Sequence, residues 1–180
     1  TTSGISILEY TGNITSGAKL AHGLGVAPEM IICKSLDYGD SWAAGHQGTD
    51  ATAPWDYATN FDTAAARSNS DAFWNDTAPD SVNFTLGNNT DTNKASTFIG
   101  YCWVEKQGYS KFGTYTGNGD PNGPFVYTGF KPAWVIHKRT NSTGNWFMFD
   151  NKRLGYNSEN HRLLADTNAG EADPSDYDLL

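Results

Sequence analysis

The sequence predicts an all-β fold of tandem β-sandwich (jelly-roll-like) modules, the second incomplete, and three observations carry that expectation. Runs rich in Thr, Tyr, Phe, Trp, Val and Ile alternate with Gly, Asn and Asp, and 13% of the 180 residues are aromatic; short strands joined by tight turns need that mixture. The clearest apolar runs have a period of two: Ala133, Val135 and His137 interleave with Trp134, Ile136 and Lys138, as on a strand and not on a helix. Third, the chain repeats itself.

Tyr10-Thr11-Gly12-Asn13 returns as Tyr115-Thr116-Gly117-Asn118, an offset of 105 residues. Pro28 followed by EMIICK returns as Pro132 followed by AWVIHK, and Ser41-Trp42 as Asn145-Trp146, both at an offset of 104. Matches in one order at nearly constant spacing define a repeat, with residues 1–104 as the first module and 105–180 as the second. Each copy runs from a Gly-Asn turn through a loop to a Gly-x-x-Pro turn that launches a strand. Trp146-Phe147-Met148-Phe149 reads as the next strand, apolar on both faces, after the turn NSTGN. In the first module SVNFTLG (81–87) and STFIGYCWVE (96–105) read as two further strands around NNTDTNK. ATNFDTAAARSN (58–69) is the one candidate helix, a weak one for its Asn, Thr and Asp content.

By the offset, the second module would run to about residue 209, so counterparts of the last two strands are missing from it. Unpaired edges and core are normally covered, so the expectation is that those strands follow in a longer chain or come from a neighbouring subunit. The opening TTSGISILEY has no initiator Met and no signal-peptide pattern, and reads as cut from something longer.

A net charge of −8 argues against a nucleic-acid partner, which needs a basic face. The charge is uneven: residues 1–104 hold four basic and eleven acidic residues, and residues 105–180 hold eight and nine. No stretch approaches the roughly 20 apolar residues of a membrane span. Cys33 and Cys102 sit in apolar runs and read as buried strand thiols, with a disulfide as the alternative. His22, His46, His137 and His161 are scattered, and no metal-ligand or nucleophile-elbow spacing occurs. No particular carboxylate pair is marked out for glycoside hydrolysis. No cofactor is expected.

NGDPNG (118–123) places Asn118, Asp120 and Asn122 at alternate positions. Asp120 and Asn122 are weak calcium candidates, against the plainer reading of an Asp-Pro and Asn-Gly turn. Five N-x-[ST] triplets begin at Asn13, Asn75, Asn83, Asn88 and Asn141 and read as loop composition unless the source is a secreted eukaryotic protein. Trp42, Trp103, Trp134 and Trp146 lie in strand-like runs and are expected in the core. APWDYATN (53–60) and AFWNDTAP (72–79) set Trp55 and Trp74 beside polar groups in loop-like text. Two readings stand there: the rings plug loops onto the core, or Trp55, Asp56, Tyr57, Trp74 and Asn75 contact a sugar with flat rings and flanking oxygens.

YCWVEKQGYSKFGTYTGNGDPNGPFVYTGFKPAWVIHKRTNSTGNWFMFDNKR (101–153) resembles runs common in large tail and virion proteins of marine bacteriophages, a tandem-repeat β domain of tail-fibre type. The likeness covers about a third of the chain closely, and the first copy follows it more loosely, with Leu24-Gly25-Val26-Ala27 against Phe130-Lys131. It implies a virion component, extracellular and tail-associated, that binds other virion subunits, is a homo-oligomer (fibres are often trimers) and has no catalytic residues to carry over. The function expected is therefore a non-enzymatic structural or adhesion domain contacting neighbouring subunits or host-surface glycans. A spacer or decoration without a ligand is the alternative, and an enzyme acting on polysaccharide the third.

Overall fold

A computed structural model describes residues 3–120, 122–153 and 161–172. Eight strands belong to the first copy: β1 (Ile5–Thr11), β2 (Ala18–Ala21), β3 (Met30–Ser35), β4 (Ala43–His46), β5 (Tyr57–Asn60), β6 (Ser68–Asn69), β7 (Asn83–Leu86) and β8 (Thr97–Trp103). β9 (Trp134–Lys138), β10 (Trp146–Asp150) and β11 (Leu163–Leu164) follow. Two single-turn helices, α1 (Asp71–Trp74) and α2 (Thr90–Asn93), complete the regular structure with a 3₁₀ turn at Pro54–Asp56. The fold is all-β. One six-stranded sheet has the order β1-β8-β3-β4-β5-β6, one three-stranded sheet the order β11-β10-β9, and β2 pairs with β7 in a ribbon.

The candidate helix at 58–69 does not form. Its first residues belong to β5, where Ala58 and Thr59 are buried and Thr59 pairs with Ala44 of β4. β-Branched and polar residues favour that half-buried pleated site over a helix. The short helices owe their ends to local caps. Ser70 Oγ accepts from Ala72 N–H at 3.3 Å, Asn75 closes α1 with a left-handed φ of 53°, and Asn89 Oδ1 accepts from Asp91 N–H at 2.8 Å.

The repeat extends to the hydrogen-bond register. β3 pairs with β4 as Met30 with His46 and Ile32 with Ala44; β9 pairs with β10 as Trp134 with Asp150 and Ile136 with Met148. Every one of these residues moves by 104. So do the third strands, where Ala43 faces Asn60 and Phe147 faces Leu164, and the bridge of Ala58 with Ser68, repeated as Arg162 with Ala172. Side-chain bonds repeat as well. Lys34 Nζ donates to Asp40 O and Lys138 Nζ to Gly144 O, while Trp42 N–H donates to Asp62 Oδ1 at 3.1 Å and Trp146 N–H to Asp166 Oδ1 at 3.0 Å.

Apolar clusters cover both faces of the six-stranded sheet. On one face Ile31, Cys33, Ala43, Phe98 and Cys102 meet Phe84, Leu86, Trp55 and Trp74 from the ribbon and the short helices. On the other, Met30, Ile32 and Ala44 meet Trp146 and Ile136 of the second copy. Three pairs related by the offset share this second cluster, Ile32 and Ile136, Trp42 and Trp146, Phe61 and Ala165, so each copy turns the same face to the other. Burial on both sides explains why β3 reads as an unbroken apolar run.

Of the four tryptophans expected in the core, Trp146 is buried and Trp42 and Trp103 pack half-buried into the second cluster. Trp134 is 56% exposed: it opens β9 at the sheet edge, where no further strand among the described residues covers it. Cys33 and Cys102 are free and fully buried. Burial pushes the Cys33 thiol up to about 12 against a small opposing effect of the Tyr10 hydroxyl bond, and burial also raises Cys102. Thiolate is the reactive form, so a disulfide reagent at neutral pH should label neither thiol in the folded chain and both in denaturant. Stoichiometric labelling without denaturant would contradict this packing.

Candidate contact surface

The five residues read as sugar contacts come together in space, but not as a groove. Trp55, from the 3₁₀ turn, and Trp74, from α1, form an edge-to-face pair with centroids 5.8 Å apart and are 6% and 1% exposed. Gly45 of β4 lies beneath them, and a Cβ there would stand 2.6 Å from Trp55 Cζ3 and 2.8 Å from Trp74 Cε2. Rings enclosed in this way present no face to a ligand, which corrects the expectation of a sugar platform. Their polar sequence neighbours serve the chain itself. Asp56 O accepts from Ser70 N–H, the Arg67 guanidinium sits 4.4 Å over the Tyr57 ring, and Asn75 N–H donates to Asp71 O. Arg67 also pairs with Asp50 at 2.9 Å. Asp50 is held down to about 2 by the Thr52 and Ala53 N–H groups and the Thr52 hydroxyl, with the Arg67 charge adding to them.

At 118–122 the turn reading describes the geometry. Asp120 N–H donates to Asn118 Oδ1 at 3.1 Å, and Asn122 N–H to Asp120 Oδ1 at 2.8 Å, so the oxygens proposed for calcium close the turn instead. Among the described residues no three His, Cys, Asp or Glu side chains gather in a metal-binding group. Of the histidines, His22 is buried, accepting from Leu24 N–H at Nδ1 and facing Asp80 O at 3.0 Å from Nε2. His137 lies in a ring stack with Phe147 and Phe149, and burial followed by the Arg162 charge lowers its pKa.

Glu29 and Glu105 are neighbours through the backbone. Glu105 N–H donates to Glu29 Oε2, and Lys111 Nζ pairs with Glu105 at 2.9 Å. Burial raises the Glu29 pKa against that N–H bond. Beside them a depression of about 190 Å³ is lined by Glu105, Gln107, Ser110, Lys111, Tyr127 and Thr128 among others. Its size is below the usual range for ligand sites.

The prominent exposed feature is apolar and lies in the second copy. Tyr115, Phe125, Val126, Tyr127 and Trp134 are all exposed, Phe125 at 89% and Tyr127 at 76%. Gly25 and Gly129, each three residues before the proline that precedes β3 or β9, share positive φ values of 79° and 80°. In the first copy Lys19 and Ala21 point outward along β2. In the second copy, residues 123–128, just before Gly129, form no strand and carry the exposed Phe125 and Tyr127. The apolar run Phe125-Val126-Tyr127 inside Gly-, Asn- and Pro-rich turn text was the sequence signal that would have found them.

A family model, described as a domain of unknown function (DUF7483), matches residues 1–180, so the chain belongs to that family. No curated protein and no solved structure matches the chain.

Proposed function

We propose that this DUF7483 chain is a non-enzymatic structural domain of a phage virion, in the tail or a fibre, that works by holding neighbouring protein subunits. The observation that carries the reading is the outward aromatic face of Phe125 and Tyr127. Phe125, Val126 and Tyr127 are consecutive and all exposed; contiguous exposed apolar residues mark interaction surfaces, and aromatic residues are enriched where proteins meet. The resemblance of residues 101–153 to phage tail proteins supplies the setting, and a homo-oligomer of fibre type is part of the same proposal. A second reading is contact with host-surface glycans. It would use these two exposed rings in place of the buried Trp55 and Trp74.

The experiment compares the chain with Phe125→Ser/Tyr127→Ser, both checked for an unchanged fold. Native mass should show an oligomer for the parent and single chains for the double variant. The parent alone should be retained in purified phage particles. A parent that is monomeric and absent from particles overturns the proposal, and saturable binding to envelope glycans lost in the double variant would favour the second reading.

A further inference from the structure

The two copies differ most in what surrounds β3 and its counterpart β9. In the first copy β8 lies between β1 and β3, bonded to both, and β7 covers β2. In the second copy, residues 110–116, where the counterpart of β1 falls, form no strand, and among the described residues β9 is the edge of its sheet. The parity of the β9–β10 ladder is set by Asn151 N–H donating to Ala133 O. It turns the backbone groups of Trp134, Ile136 and Lys138 toward the open side. Their counterparts Met30, Ile32 and Lys34 face Trp103, Tyr101 and Ile99 of β8.

We propose that the open edge of β9 is an acceptor for one antiparallel donor strand of the β8 type, supplied as an extended segment by a neighbouring protein subunit. The inference deepens the proposed role in subunit contact and rests on it. The β3–β8 interface supplies the register and the chemistry of the donor. Cys33 faces Gly100, and Ile31 faces Cys102, so at the offset a glycine would face His137 and a small residue Val135. The His137 side chain is larger than that of Cys33, and the Tyr115 ring already stands edge-on to it at 6.3 Å. A donor must therefore be smallest at that position. A second copy of this chain does not meet the requirement, because its own β8 is bonded on both sides. Backbone bonds would supply affinity and alternate side chains the selectivity, as in other strand-addition complexes. An exposed edge left unpaired is a liability that proteins normally cover.

The test adds a synthetic peptide with the sequence of residues 93–106, NKASTFIGYCWVEK, to the full chain and follows amide exchange residue by residue. Exchange at Trp134, Ile136 and Lys138 should slow by about tenfold or more. The same peptide carrying Gly100→Val should protect far less, since its β-branched side chain would meet His137. Trp134→Pro in the protein removes one edge donor without touching the β10 side, and should weaken protection by the parent peptide while β3 and β8 stay protected. Unchanged exchange, equal protection by a scrambled peptide, or an edge already protected in a β9-to-β9 dimer would each overturn the proposal. Particle retention and the Phe125/Tyr127 double variant decide the subunit-contact reading separately, so the two can fail independently.

Discussion

Trp74→Ala should destabilise the folded chain by about 3–5 kcal/mol, the range for removing a large aromatic from a core that cannot collapse onto the space. The site cannot collapse because Trp74 is wedged between Trp55 and the backbone of Gly45, with Phe73, Phe84 and Leu86 in the same cluster. The edge-to-face contact with Trp55 adds about 0.5–1.5 kcal/mol beyond buried area. Trp74→Phe should cost clearly less. The Trp74 indole N–H is buried without a hydrogen-bond partner, and an unsatisfied buried donor costs about 1–3 kcal/mol that the phenyl ring does not incur. Gly45→Ala approaches the same cluster from the opposite side and should be destabilising too, because its new methyl would overlap both rings. Urea midpoints at unchanged slope provide the measurement. A Trp74→Ala chain that keeps its midpoint would show that the ring is not a core element and would reopen the sugar-platform reading.

The same tryptophans show what could be read from the sequence and what could not. The strands with a period of two and the 104-residue offset were legible because both are local or self-referential properties: IICK and VIHK declare themselves, and each needs only its own copy for comparison. The register of β3 on β4 and of β9 on β10 follows from turn length and alternation. The enclosure of Trp55 and Trp74 was not legible. Their sequence neighbours are polar, and the groups that cover them come from β4, β7 and the ribbon, none adjacent in the chain. Trp134 misled in the opposite sense. Its run is as apolar as that of β3, but burial depends on a flanking strand, and alternation within one strand says nothing about its edges. No helix forms at 58–69 because this segment pairs with β4 through Thr59 and Asn60, which Ala-rich text does not announce. Phe125 and Tyr127 lie between the matching positions that define the repeat, and the repeat by itself says nothing about their exposure.

Trp146→Ala should separate the two copies while leaving the first one folded. Trp146 is 6% exposed, packs on Phe61 at 4.9 Å between centroids, and donates its indole N–H to Asn60 O at 2.9 Å. Truncation removes the ring from the cluster of Met30, Ile32 and Ala44 and leaves the Asn60 carbonyl without that donor. The ring accounts for about 3–5 kcal/mol and the lost bond for about 1 kcal/mol. Among the contacts that remain across the joint are Arg67 N–H to Thr140 O, Gly144 N–H to Ala64 O, the Lys138 ammonium on Ala64 O, the Gln47 side-chain amide donating to Phe112 O and the tilted His46–Phe112 ring contact, none of which replaces the buried indole. The first copy has a second cluster on its other face and keeps it whole. Amide exchange should therefore rise across β9 and β10 and hardly change in β3 and β8, with denaturant unfolding resolved into two steps. Trp146→Phe should fall between the parent and Trp146→Ala, since it keeps the contact with Phe61 and loses the bond. Trp42→Ala, at the related but half-buried position, should cost less than Trp146→Ala. Equal loss of protection in β3 and β9 would mean instead that the two faces of the six-stranded sheet form one cooperative core, and that the repeat in sequence does not divide the chain in stability.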